Sequence, residues 1–338
     1  MSITLNPRES GEHIVRHAKY LKVLPAGIER LVEEIVSGVI AKRIDVENFS
    51  QHELHPRKED LHAANWIFIV DTLNFCFWTP TNYTKYKVNG YTGYFALCAA
   101  INRAIADGLD MTNPEFYSKL DLDTLSHIFR ADDAATKMPL LEQRLECLHQ
   151  VGERLLAKWN GQFENVVKAA KHSAVELLQL VVAEFPCYRD EAEFAGERVA
   201  IWKRVQILVG DLWSCYRGEG LGHFSDIEKV TMFADYRVPQ VLVHFGSLEY
   251  SSELMELLKQ DTILQNGDAR EVEIRGASIY IIEQVKDRVL EILKQKHPDV
   301  DARNVNSILI DQYLWDYRRE HATELEYIPF HKVLSIYY

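Results

Sequence analysis

Gly27-Ile-Glu-Arg-Leu-Val-Glu-Glu-Ile-Val-Ser-Gly-Val-Ile-Ala-Lys42 sets apolar side chains at Ile28, Leu31, Val32, Ile35, Val36, Val39 and Ile40. Steps of three and four gather such residues on one face of an α-helix and of no other regular structure. The same period returns in residues 140–159 (Leu140, Leu141, Leu145, Leu148, Val151, Leu155) and 162–185 (Val166, Val167, Ala170, Ala174, Leu177, Leu178, Val181). It returns again in residues 276–296 through Ile279, Ile282, Val285, Val289 and Ile292. An apolar helix is also expected over 196–216, an Ala-rich one over 94–108, and shorter ones over 10–17, 251–260 and after the caps Asn113 and Asp121. A single β signal stands out: Val88-Asn89-Gly90-Tyr91, where Asn-Gly sits between alternating aromatic and polar residues. No repeat, low-complexity tract or Pro/Gly/Ser-rich linker divides the 338 residues. The expectation is a mainly α protein, one helical domain over residues 1–338, with a small β-hairpin.

Composition narrows the function. Hydrophobic residues make up 47% and charged residues 26%, which suits a folded globular chain. The formal net charge of −12 disfavours a general nucleic-acid surface but not a small anionic substrate, since one phosphate needs only a local cation. Cys76, Cys98, Cys147, Cys187 and Cys215 are odd in number and widely spaced, as reduced core thiols of a cytoplasmic or nuclear protein are. No apolar run reaches the ~20 residues of a membrane span, and no signal peptide is evident. His52, His55 and His62 lack a matching second ligand pair, so no metal is expected. Nucleotide-binding and serine-hydrolase glycine motifs are absent as well.

Chemistry is concentrated in Gly222-His-Phe-Ser-Asp-Ile-Glu-Lys-Val-Thr-Met-Phe-Ala-Asp-Tyr-Arg-Val-Pro-Gln240, where Asp226, Asp235, Tyr236 and Arg237 sit among apolar residues. Pro239 is expected to close any helix that carries them. A carboxylate beside Phe233 and Tyr236 is partly desolvated, which raises its pKa and strengthens its hold on a nearby positive charge. The alternative role for Asp235 is an ion pair with Arg237 or a cap at the helix end. Asp311 and Asp316 flank Tyr313 and Trp315, and His52 precedes the buried run Trp66 to Trp78, in which Asp71 and Asn74 need partners. Carboxylates among flat side chains suit a planar heterocycle such as a nucleobase. Five residues of separation put Asp311 and Asp316 about 140° apart on an ideal helix, so at most one need face a site.

Six motifs taken together carry a resemblance: residues 71–78 (DTLNFCFW), 91–94 (YTGY), 129–131 (FRA), 203–208 (KRVQIL), 233–240 (FADYRVPQ) and 310–315 (IDQYLW). The chain resembles the queuosine salvage protein family, the queuosine 5'-phosphate N-glycosylases, along essentially its whole length. The resemblance implies a fold similar to the helical DNA glycosylases and hydrolysis of queuosine 5'-monophosphate to queuine and ribose 5-phosphate. It implies Asp235 as the carboxylate under C1', Asp311 as acceptor for the N1–H and 2-amino edge, and Asp316 as a second acid for the aminomethyl arm. Phe233 stacks on the base, and Tyr236 and Tyr313 line it. The resemblance also favours His52 over His55 for the family's N-terminal position and implies Lys203 or Arg204 at the 5'-phosphate, the alternative being solvated cations on an apolar-faced helix. No cofactor is implied, and the expected partner is the small nucleotide rather than a nucleic-acid polymer or a membrane. The competing readings are a glycosylase acting on bases in nucleic acid and a helical binding protein without catalysis.

Overall fold

In the computed structural model, which describes residues 4–80, 83–302 and 305–338, the 27–42 stretch forms the helix Pro25–Ile40 and buries Leu31, Val32, Ile35 and Val39. Gly27 lies in its first turn against another stretch of backbone: a Cβ there would stand 1.9 Å from the Gly246 carbonyl oxygen. The chain divides into two compact units. The first comprises Met1–Val46, Asp190–Gln206 and Glu228–Leu334, and the second Glu47–Arg189, Ile207–Ile227 and Ser335–Tyr338.

In the first unit, the helix Ala269–Lys296 is the long central element, packed against Pro7–His17 and Pro25–Ile40. It begins seven residues before the periodic stripe does, because Asp268 caps it by accepting the Arg270 N–H at 2.9 Å. That extension carries Glu271, Glu273 and Arg275 into the interior. Val238–His244 packs against Ser307–Glu320, the pairing from which the site described below is built.

The second unit is a helical cluster around stacked rings, with Phe68 and Phe163 4.1 Å apart and Phe185 and Tyr188 beside them. The apolar run 66–78 is helical only in part. Ala63–Thr72 is a helix, and beyond it the carbonyls of Leu73, Phe75 and Cys76 all accept from the buried guanidinium of Arg144. Asn74 Nδ2 donates to Asp71 Oδ1 at 3.3 Å, which partners both polar groups of that run. The hairpin Lys87–Val88 with Tyr91–Thr92 forms as expected. Its Asn89 and Gly90 N–H groups each donate to the Asp132 carboxylate at 2.8 Å.

Three expectations are corrected. Residues 162–185 are two helices, Phe163–Ala169 and Ala174–Glu184, since Lys171 and His172 take positive φ (51° and 64°) and Ser173 starts the second by accepting the Glu176 N–H. Residues 196–216 are helical only from Lys203 to Cys215, because Glu197–Ala200 pairs antiparallel with Glu191–Phe194. Pro239 opens a helix rather than closing one: it lies in the first turn of Val238–His244, where a missing N–H costs nothing. The β content exceeds one hairpin, with Leu21–Val23 pairing Leu248–Tyr250 and Ile263–Leu264 pairing Lys332–Val333, but every sheet among the described residues has two strands. The class is mainly α. No helix among the described residues is long and apolar enough to cross a membrane, and all five cysteines are buried.

Candidate active site

The site is built on the irregular buried strip from Val230 to Tyr236. Gln206 pins one end, its Nε2 donating to Thr231 Oγ1 at 2.5 Å and its Oε1 accepting the Thr231 N–H at 2.7 Å. Asp235 pins the other, with Oδ1 accepting the N–H groups of Arg237 and Val238 at 2.8 and 2.9 Å. These donors have no intrahelical acceptor, so Asp235 caps Val238–His244. The cap reading of Asp235 is therefore realised. It occupies only one oxygen, and Oδ2 hydrogen-bonds to no described residue.

Asp311 reaches the same strip from the helix Ser307–Glu320, its Oδ1 accepting the Phe233 N–H at 3.0 Å. Asp235 is 9% exposed, and Asp311 and Lys203 are 5% exposed each. Burial raises the Asp235 carboxyl above the ordinary range, opposed first by the Lys203 charge and then by the two backbone donors. Asp311 is raised further: burial acts first, the Asp235 charge adds to it, and the Phe233 N–H and Lys203 oppose both. The charge of buried Lys203 thus opposes the effect of burial at both carboxyls, and Asp311 is held further from its ordinary range than Asp235.

A group that the sequence did not single out fixes this geometry. Arg275 donates to both oxygens of Asp190 (2.9 and 2.6 Å), to Glu271 (3.0 Å) and, through Nε, to the Ala234 carbonyl (2.9 Å). Asp190 Oδ2 also accepts the Lys203 N–H at 3.1 Å. One buried ion cluster thus holds the backbone next to Asp235 and the backbone that carries Lys203. Gln240 does similar work at the rim, its Oε1 accepting from Arg237 Nη1 (3.2 Å) and Arg318 Nε (2.9 Å). The one sequence signal for these residues was charge inside an apolar helix at Glu271, Glu273 and Arg275.

The other expected residues are distributed as follows. Phe233 and Tyr236 are buried in the strip, and Tyr236 lies 5.1 Å from the Phe330 ring. Arg204, next to Lys203, is 1% exposed, so neither cation is solvated. The Tyr313 hydroxyl is engaged by Glu34 and Arg43. Asp316 is 55% exposed and 3.7 Å from Arg319, so of the two acids only Asp311 faces inward. His52 belongs to the second unit, where its ring stacks on Phe95 at 3.9 Å. Its neighbour His55 is committed to structure: Nδ1 donates to the Phe49 carbonyl (2.8 Å), Nε2 takes the Tyr94 hydroxyl (3.1 Å), and burial lowers its pKa to about 4.

Residues 54–338 match the family model described as "Queuosine salvage protein". A Mus musculus protein named "Queuosine 5'-phosphate N-glycosylase/hydrolase" is 45% identical over 100% of both chains. Proteins of the same name from Nematostella vectensis (38% identical over 98% of both chains) and Schizosaccharomyces pombe (34% over 98% of this chain and 99% of the relative) are similar along the same length.

Proposed function

The chain belongs to the queuosine salvage protein family, and from that premise we propose that it hydrolyses the N-glycosidic bond of queuosine 5'-phosphate, releasing queuine and ribose 5-phosphate, with Asp235 as the carboxylate beside the ribose. Cleavage of C1'–N builds positive charge on the sugar ring, and a fixed carboxylate in a dry site stabilises that charge strongly. Asp235 suits the task because its cap uses Oδ1 alone, which leaves Oδ2 to face C1' or to orient the attacking water. Lys203 keeps the carboxylate accessible as the anion against the pull of burial.

Asp311 meets the base. With Oδ1 taken by Phe233, Oδ2 remains to accept the N1–H and 2-amino donors of the 7-deazaguanine. This leaving group has carbon at position 7 and no lone pair there to protonate, so its departure depends on contacts along that edge. Phe233 and Tyr236 supply the flat surfaces, and the exposed Asp316 is available to the cationic aminomethyl arm. Relatives that match along nearly the full chain support residues 1–338 acting as one functional domain.

The observation that carries the reading is the pair of buried carboxyls, each held through one oxygen by backbone N–H groups. The test is incubation of the purified protein with queuosine 5'-monophosphate, and with guanosine 5'-monophosphate as control, followed by chromatography of free base. Queuine release with the control intact is expected. An unchanged queuosine 5'-monophosphate overturns the proposal in favour of a binding protein.

A further inference from the structure

Histidine rings approach each other in pairs: His13 with His17 (4.5 Å between centres), His52 with His55 (5.1 Å) and His172 with His223 (5.3 Å). Their nitrogens tell the pairs apart. His55 spends both of its own on Phe49 and Tyr94. His13 spends Nε2 on the Phe194 carbonyl and His17 spends Nδ1 on the His13 carbonyl, so that pair offers unlike atoms. In the last pair, His172 Nδ1 meets the His223 carbonyl and His223 Nδ1 the Gly218 carbonyl, each at 3.2 Å. A carbonyl only accepts, so each Nδ1 carries the proton and each neutral ring keeps its lone pair on Nε2. Neither Nε2 hydrogen-bonds to a described residue.

Both residues are exposed and border one cleft of about 100 Å³ in the second unit, together with Val167, Leu221 and Phe224. The segments that present them are fixed. His172 takes a φ of 64°, costly for a residue with a side chain, and its carbonyl accepts the Ser225 N–H at 2.8 Å. Gly222 is packed so that a Cβ would stand 2.6 Å from the Leu212 carbonyl oxygen, which sets the turn Gly218-Glu-Gly-Leu-Gly222 ahead of His223. Lys168 also lines the cleft, but it is paired with Glu164 at 3.5 Å, and the net charge of −12 draws cations. Two imidazoles, each oriented by a hydrogen bond from its other nitrogen to a carbonyl, form a donor set suited to divalent transition metals. The spacing is selective as well. With metal–nitrogen distances of about 2.1 Å, two imidazoles at the tetrahedral angle put their ring centres roughly 5 Å apart, and at a right angle roughly 4.5 Å. The observed 5.3 Å suits tetrahedral zinc.

We infer that His172 and His223 bind a divalent transition-metal ion through their Nε2 atoms, zinc being the ion whose geometry fits, and that the ion clips the turn between Phe163–Ala169 and Ala174–Glu184 to the glycine turn. Among the described residues no group of three His, Cys, Asp or Glu side chains is placed to hold a metal, so water fills the remaining positions. The test titrates zinc ion into the purified protein by calorimetry, with melting temperature measured in parallel, for the wild type, His172→Ala, His223→Ala and, as control, His13→Ala. Both target side chains are exposed, and circular dichroism checks the fold of each variant first. One equivalent of zinc is expected to bind the wild type and raise its melting temperature. Either target variant should weaken binding at least about 10-fold and lose the thermal shift, whereas His13→Ala keeps both. In isotope-labelled wild type, zinc should move the Nε2 resonances of two imidazoles and leave their Nδ1 atoms protonated, a readout that needs no variant. Zinc that binds His172→Ala or His223→Ala as tightly as the wild type places the ion elsewhere and overturns the inference. Loss of binding in His13→Ala, or a wild type without saturable binding, does the same.

Discussion

At the scale of the residue, Asp235 has two roles that substitution can separate. Its Oδ1 caps a helix, and its Oδ2 is the atom assigned to the reaction. Asparagine keeps an Oδ1 acceptor and loses a charge that burial opposes, so Asp235→Asn should melt no lower than wild type while kcat drops by at least about 100-fold. Alanine removes both functions, and Asp235→Ala should lose about 1 kcal/mol of stability as well. Urea unfolding and steady-state kinetics on the two variants check the assignment; near-wild-type turnover by Asp235→Asn would end it. Asp311 calls for a different measurement. Its carboxyl holds a proton well above the ordinary carboxylate range, mainly through burial. The N–H donors of the base bind the ionised form, so kcat/KM should rise with pH through the Asp311 pKa, giving an acid limb above the ~4 of an ordinary aspartate. Asp311→Asn should lower kcat/KM and move that limb down to the one set by Asp235. A limb that stays in place in the variant assigns the titration to another group.

At the scale of the element, the site depends on a cluster remote from the reacting atoms. Asp190 precedes a β-hairpin, Arg275 sits in the second turn of Ala269–Lys296, and between them they fix the start of Lys203–Cys215 and the Ala234 carbonyl. Removing one partner of a buried pair leaves the other charge uncompensated, so Asp190→Ala should cost about 3–5 kcal/mol in urea unfolding. A loss below about 1 kcal/mol would show that the cluster is not what holds these elements. The same elements explain what could be read from the sequence. Helical stripes are local, and the helices over 25–40 and 141–158, with the part of 269–296 from residue 276 onward, follow from spacing. Asp235 and Asp311 were legible because acids in apolar company are rare. The run Glu271-Val-Glu-Ile-Arg275 was not, because charge next to an apolar stripe ordinarily means solvent, and only the distant Asp190 makes its burial tolerable. Residues 191–200 hid for a related reason: Gly196 marks a turn only once its flanks are known to pair. Pro239 is compatible with either end of a helix, and the Asp235 cap decides which.

At the scale of the whole molecule, buried titratable groups give stability a two-sided dependence on pH. His55 and His331 are kept neutral by burial, with pKa values lowered to about 4 and about 3, the Arg275 charge helping at His331. Unfolded histidines titrate near ~6.5, so below that pH the unfolded chain binds protons that the folded chain refuses. Each histidine therefore contributes stability that is present above about pH 6.5 and lost as pH falls, by at most about 1.4 kcal/mol per pH unit. Asp235, Asp311, Glu271 and Glu273 act in the opposite sense. Burial raises all four, so the folded chain retains protons that the unfolded chain has released, and stability present at low pH is lost as pH rises through the raised values. The two effects oppose each other between the ordinary carboxylate range and about pH 6.5, where rising pH lets the histidines add stability and the carboxyls remove it. The carboxyl loss runs on with pH until each raised value is passed, a decline in which Asp311, raised the most, has the largest share. Asp311→Asn should flatten that decline and melt higher than wild type at pH 8, a stability gain in a variant of reduced activity. His331→Gln should flatten the acid side between pH 6.5 and 4. Melting curves of the three proteins over pH 4–9 decide the matter: parallel curves would mean that these buried groups titrate alike in the folded and unfolded chains, and the electrostatic account of the site would fall with them.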